Sequence, residues 1–138
     1  MVNWFDGMNV EILRFCRAIM REFGDMPIRA SQFAVLNIMC TKPGPHMPIM
    51  LAETLGVSKA MISNHLAALM AQGLAVRVPS PEDGRSVYVM PSKRGKDLFD
   101  KIARENLRKI DMIKSQLGAK KFDTFIKLIA QVNQIVDK

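Results

Sequence analysis

Residues 51–73, LAETLGVSKAMISNHLAALMAQG, hold the side chains best placed to do chemistry, and that chemistry is non-covalent. Ile62, Leu66 and Leu69 recur at helical spacing and predict one inward packing stripe. The opposite face, near the start of the same helix, then carries Lys59, Ala60, Ser63 and Asn64, with Ser58 and Met61 in the same first turn. Lys59, Ala60, Ser63 and Asn64 are short or cationic, and none is acidic. A helix with such a face can settle into the DNA major groove, about 12 Å wide, where a long acidic side chain would repel phosphate.

A second group follows in the chain. Arg77 stands at the base of a predicted hairpin whose loop, Pro79–Arg85, carries Asp83, Gly84 and Arg85 at its tip. An Arg on such a tip can reach the narrow minor groove, where the potential is most negative. Lys59, Arg77, Lys93 and Arg94 can neutralise phosphates, a contribution that ignores base sequence and weakens with salt.

Other chemistries find little support. No Ser/His/Asp set, Gly-rich phosphate loop or paired carboxylate stands out, so no catalytic residue is assigned and the chain is not read as an enzyme. His46 and His65 lie 19 residues apart with no carboxylate in a ligand pattern, which favours core or surface roles over a metal site. No cofactor is expected. The eleven Met residues read mainly as adaptable core filler.

The elements that must position these groups are legible from punctuation and periodicity. A first helix is predicted from about Phe5 to Phe23, ended by Gly24-Asp25-Met26-Pro27. A second runs to Met39 from Ser31, read as its N-cap, with Phe33, Leu36 and Ile38 or Met39 inward. Lys42-Pro43-Gly44-Pro45 is a loop, and Pro48 suits the first turn of a short third helix ending at Gly56. Ala52 allows close helix approach, Gly56 supplies the turn, Val57 plugs the corner and Ser58 caps the fourth helix, which ends by Gly73. Two β-type runs, 75–78 and 86–90, make the hairpin. A long helix from Ser92 to about Leu117 and a last one after Gly118 complete the chain.

The predicted fold class is mostly α (α+β). A winged helix-turn-helix lobe, residues 28–92, has a two-stranded β-wing and stands on a helical dimerisation lobe made from residues 1–27 and 93–138. The terminal helices are too apolar to stand alone, which implies a homodimer.

Charge distribution agrees with an anionic partner. Residues 1–57 are neutral, with five basic and five acidic side chains, whereas residues 58–96 hold six basic against two acidic. Cys16 and Cys40 are too few for a disulfide framework and fit a reducing cytosol. Asp6, Glu11 and Arg14 interrupt any secretory signal, and no run reaches the roughly 18–20 apolar residues of a membrane span. The expectation is a cytoplasmic protein with no membrane partner.

Over roughly residues 8–136 the chain resembles the MarR family of winged helix-turn-helix transcriptional regulators. The matching pieces are SQFAVL (31–36), LAETLGVSKAMIS (51–63), Gly73-Leu74, PEDGRSVYV (81–89) and SKRGKDL (92–98). Asp83-x-Arg85 in the wing, followed by Ser92-x-x-Gly95, is the most specific element. The resemblance implies a homodimer held by its N- and C-terminal helices on pseudo-palindromic double-stranded promoter DNA. It puts residues 58–72 in the major groove and Arg85 in the minor groove. It also implies a small-molecule effector, often aromatic, that releases the protein from DNA. Asn64 stands where family members often carry an Arg that pairs with the wing Asp, Met47 replaces a usual Thr or Ser cap, and Ile49 and Met50 replace polar residues.

Three alternatives stay open, one of them a small-molecule binding protein or enzyme that uses the inter-lobe cleft. A winged helix can serve as a protein-interaction module, to which the Met47, Ile49 and Met50 patch points. A redox-sensing regulator would use Cys16, since one branch of the family places a reactive Cys in its first helix. That branch also uses Tyr partners, the one Tyr here is Tyr88 in the wing, and a Cys beside an apolar stripe is expected to be buried and inert.

Overall fold

A computed structural model describes residues 8–20, 27–80, 82 and 86–137 of the chain. Its elements are α1 (Met8–Met20), α2 (Ala30–Thr41), α3 (Pro48–Leu55), α4 (Lys59–Ala71), β1 (Ala75–Pro79), β2 (Val87–Pro91), α5 (Lys93–Leu117) and α6 (Ala119–Val136). Phe5, Phe23 and the Gly24-Asp25-Met26 break lie outside the described residues, as do Asp83, Gly84 and Arg85 of the wing tip.

Local hydrogen bonds set most element ends. Pro48 occupies the first turn of α3, where its missing N–H costs nothing. Gly56 ends α3 in the left-handed region at φ 67°, with Val57 N–H donating to Ala52 O at 3.0 Å and Gly56 N–H to Glu53 O at 3.3 Å. The same pair of bonds closes α4 around Gly73 (φ 71°): Leu74 N–H donates to Leu69 O at 2.9 Å and Gly73 N–H to Met70 O at 3.0 Å. Both are Schellman-type endings that use the carbonyls a helix leaves orphaned, and both need the backbone freedom of glycine.

One predicted cap is corrected. The N-cap of α2 is Arg29, not Ser31, which lies exposed inside the first turn. Gln32 reaches back to accept the Arg29 backbone N–H at 3.1 Å, so the reciprocal half of a capping box decides the start. The strands also lie one residue later at their far ends than predicted, at Pro79 and Pro91.

The core is the junction of α2, α3, α4, β2 and the start of α5. Val35, Leu36, Leu51, Ile62, Leu66, Leu69, Val89 and Ile102 are essentially sealed, with Ala52 buried where α3 meets its neighbours. Phe33 of α2 stacks on Phe99 of α5 with ring centroids 5.8 Å apart. β1 and β2 pair antiparallel in the register Arg77 opposite Val89 and Val78 opposite Tyr88. His46, in the α2–α3 loop, adds a bridge by accepting the Val89 N–H at 2.9 Å.

The terminal helices are packed differently. α6 has no buried residue, and α1 touches it through an edge-to-face contact of Phe15 with Phe125, centroids 5.5 Å apart. Lys109 Nζ of α5 donates to Ala18 O of α1 at 3.0 Å. Leu13, Leu107, Met112, Val132, Ile135 and Val136 remain exposed. No helix among the described residues is long and apolar enough to cross a membrane.

Candidate nucleic-acid interface

The site is built on α4. Ile62, Leu66 and Leu69 are 0–1% exposed, so the helix is anchored along one whole stripe. Ser58 caps it, its Oγ accepting the Met61 N–H at 3.2 Å. With 3.6 residues per turn, Ala60 and Asn64 point about 160° away from Ile62, one to each side of the outward meridian. Met61 and Ser63 flank them at about 100°. All four are exposed, as is Lys59. The structure therefore presents every predicted α4 residue on open surface while the opposite stripe holds the helix rigid.

The outward row continues beyond the predicted set. Ala67 and Ala71 are exposed and follow Ala60 and Asn64 at helical spacing. Sequence reasoning passed over them because alanine carries no polar group, although the spacing alone would have placed them. Lys59 is the one charged side chain in α4. It lies about 60° from the direction of Ile62, toward the side of the helix rather than its outward edge.

The remaining cations are spread around the lobe. Arg77 on β1 and Lys93 and Arg94 at the start of α5 are exposed. A methyl placed on Gly73 would meet Arg94 Nη1 at 3.9 Å, which sets Arg94 over the C-terminal end of α4. Lys59 sits at the other end, roughly 20 Å away for a helix of this length. The structure thus does not gather Lys59 and Arg94 into one patch but sets them at opposite ends of the exposed helix. Ser80 N–H donates to Ser86 O at 3.0 Å and closes the hairpin just short of the tip. Asp83 and Arg85 themselves are outside the described residues.

Ser92 joins the wing to α5. Its Oγ donates to Gly73 O at 2.6 Å and accepts the Gly95 N–H at 3.0 Å, while its own N–H donates to Leu74 O at 3.0 Å. One residue so ties the end of α4, the start of β1 and the start of α5.

Cys16 is exposed on α1, contrary to the burial expected beside an apolar stripe. The stripe is real but only partly covered: Phe15 meets Phe125 of α6, while Ile12 stays exposed. His46 is buried and its Nε2 pairs with Lys42 O at 3.0 Å, a structural role. Among the described residues no group of His, Cys, Asp and Glu could hold a metal ion.

A cavity of about 590 Å³ opens between α2, the wing and α5. Met39, Phe99 and Met90 supply apolar walls, and Tyr88, Lys96 and Asp100 supply polar ones. Cys40 lines it as well. Burial pushes the Cys40 thiol above its ordinary value, with the Asp100 carboxylate adding to the rise and Lys96 opposing it. A raised thiol pKa leaves less thiolate at neutral pH.

The model of the MarR family matches residues 25–86, which take in α2, α3, α4 and β1 and end one residue before β2. No curated protein resembles the sequence closely enough to count as a relative. Among solved structures, FabT of Streptococcus pneumoniae in complex with DNA superposes with a TM-score of 0.78 at 16% identity, covering 94% of this chain and 95% of that one. PcaV of Streptomyces coelicolor in complex with its natural ligand gives 0.79 at 20%, covering 97% and 96%. The repressor CouR bound to a 23-mer DNA duplex gives 0.77 at 25%, covering 91% and 89%. The six helices and two-stranded sheet are those of this winged-helix fold throughout.

Proposed function

We propose that this chain, which the MarR family model matches over residues 25–86, is a transcriptional regulator, not an enzyme, that binds a pseudo-palindromic operator in duplex DNA as a homodimer. One observation carries the reading. α4 is capped and core-anchored on one side, and its other side is a row of exposed, short, non-acidic side chains of the kind that fits a major groove. The DNA complexes of FabT and CouR support it by fold. The proposal divides the chain into a DNA-binding lobe (28–92) and a dimer lobe (1–27 and 93–138), supported by the exposed apolar residues of α1, α6 and the later part of α5, while the start of α5, to Ile102, packs in the core. A protein that reads promoter DNA works where that DNA is, which we take to be the cytoplasm.

Selection of bound duplexes from a random pool at about 150 mM salt tests the proposal. The expected product is an inverted repeat with half-sites roughly 34–36 Å apart. Binding that is weak, unselective and abolished by salt would sink it. In that event exposed Ile49 and Met50 on α3 favour the second reading, a protein-interaction module.

Lys59→Ala is expected to weaken binding to all duplexes alike and to flatten the plot of log affinity against log salt by about one unit. An unaltered slope would place Lys59 away from phosphate. Arg85 keeps its assignment as the minor-groove residue, and Asp83 its place in the wing, as part of this proposal.

Release by a small, often aromatic ligand belongs to the same reading, supported by the ligand complex of PcaV and by the cavity beside Cys40, whose volume falls within the roughly 300–1,000 Å³ of small-molecule sites. Cys40 is expected to alkylate more slowly in the folded protein than in urea. A small aromatic acid that releases the protein from DNA should slow it further, and release without protection would locate the effector elsewhere.

A further inference from the structure

The operator proposed above has a base composition that α4 itself constrains, and the inference here rests on that DNA-binding reading. In the major groove guanine presents two acceptors, O6 and N7, which Arg or Lys satisfies. Cytosine presents an amino donor, which Asp or Glu satisfies. Adenine presents a donor and an acceptor, N6 and N7, matched by the amide of Asn or Gln, and thymine presents a methyl group matched by apolar contact. α4 contains no Arg, Asp or Glu, and its single Lys projects sideways from N1. The outward row is Ala60, Asn64, Ala67 and Ala71, flanked by Met61 and Ser63, all exposed. Asn64 is therefore the one side chain there with a paired donor and acceptor, and it is bordered by methyl groups and a thioether. Met61 is 46% exposed although large and apolar, so it has surface to lose to a partner.

We propose that Asn64 reads an adenine through its N6 and N7 edge while Ala60, Met61 and Ala67 pack on thymine methyls, so that each half-site is centred on A·T pairs. Specificity then comes from one amide and a methyl-lined surface, and the charge that holds the duplex comes from elsewhere on the lobe. With no Arg on α4 and its one Lys set to the side, the outward row carries no bidentate partner for guanine. Ser63, which can pair with any base, adds no discrimination of its own.

The experiment takes the selected operator and measures affinity at fixed salt for duplexes with deoxyuridine in place of each thymine and 7-deazaadenine in place of each adenine. Removing methyls facing α4 is expected to weaken binding severalfold, as is removing N7 at one adenine per half-site. Asn64→Ala should erase the preference at that one pair, a loss of about fivefold to 150-fold in discrimination. Asn64→Arg should keep binding but move the preference there to G·C, which a merely structural role would not produce. Because Asn64 is exposed, thermal melting of both variants should match the parent. A selected half-site with a G·C core, bound equally well by Asn64→Ala, would overturn the inference and leave the regulator reading standing. Failure to select any duplex would overturn the regulator reading first and this one with it.

Discussion

Gly95→Ala is expected to lower the stability of the fold by at least about 2 kcal/mol and its melting temperature by about 5–10 °C. Gly95 lies buried in the first turn of α5, and a methyl there would land on the Leu74 carbonyl oxygen, with the Leu74 carbonyl carbon at 3.0 Å and Leu36 Cδ1 at 3.4 Å. Leu36 can yield a little. Leu74 cannot, because it is backbone and its oxygen already accepts the Ser92 N–H at 3.0 Å. The methyl must push α5 off the α4–β1 turn, stretching the 2.6 Å bond from Ser92 Oγ to Gly73 O as it does so. Helix propensity opposes this, since alanine is favoured over glycine by about 1 kcal/mol inside a helix. The two effects differ in sign, so urea unfolding of this one variant decides between them. Equal or greater stability than the parent would mean that α5 slides freely and that the Ser92 lock does not hold the wing.

Charging the exposed face of α6 is expected to have the largest effect on activity. Val132 and Ile135 are 54% and 71% exposed in the single chain, so Val132→Glu/Ile135→Glu should leave the secondary structure of the protomer intact. In a homodimer the same positions would become buried, and two unpaired carboxylates per protomer would oppose association. Loss of the dimer also removes the advantage of binding two half-sites at once, which amounts to about a hundredfold to ten-thousandfold in affinity. Light scattering should report a monomer, and titration of the selected operator should report binding weakened by that range. A variant that stays dimeric, or a monomer that binds as tightly as the parent, would remove α6 from the interface or the dimer from the mechanism.

What was legible in the sequence follows the range of the interactions involved. Pro48, Gly56, Ser58, Gly73 and Ser92 are legible because each has a role settled within a few residues, a missing N–H in a first turn, a left-handed helix end or a side-chain cap, and these residue types have steep preferences at helix ends. The stripe Ile62, Leu66 and Leu69, and hence the exposure of Asn64 opposite, was legible because helical periodicity is itself local. Even within that range a competing cap can win, as Arg29 did over Ser31 once the Gln32 side chain turned back on it.

Other features depend on residues distant in sequence. Periodicity shows that α1 and α6 carry apolar faces but not that these faces are only partly covered, and Cys16 is exposed rather than buried. The cavity beside Cys40 draws on α2, the wing and α5, and no one of these segments marks it. Gly95 read simply as part of a helix start, whereas the contact that demands glycine there is a carbonyl 21 positions earlier in the chain. A sequence determines by itself which atoms can satisfy one another within a turn or two. Only the tertiary structure decides which distant backbone a helix must approach, and how closely.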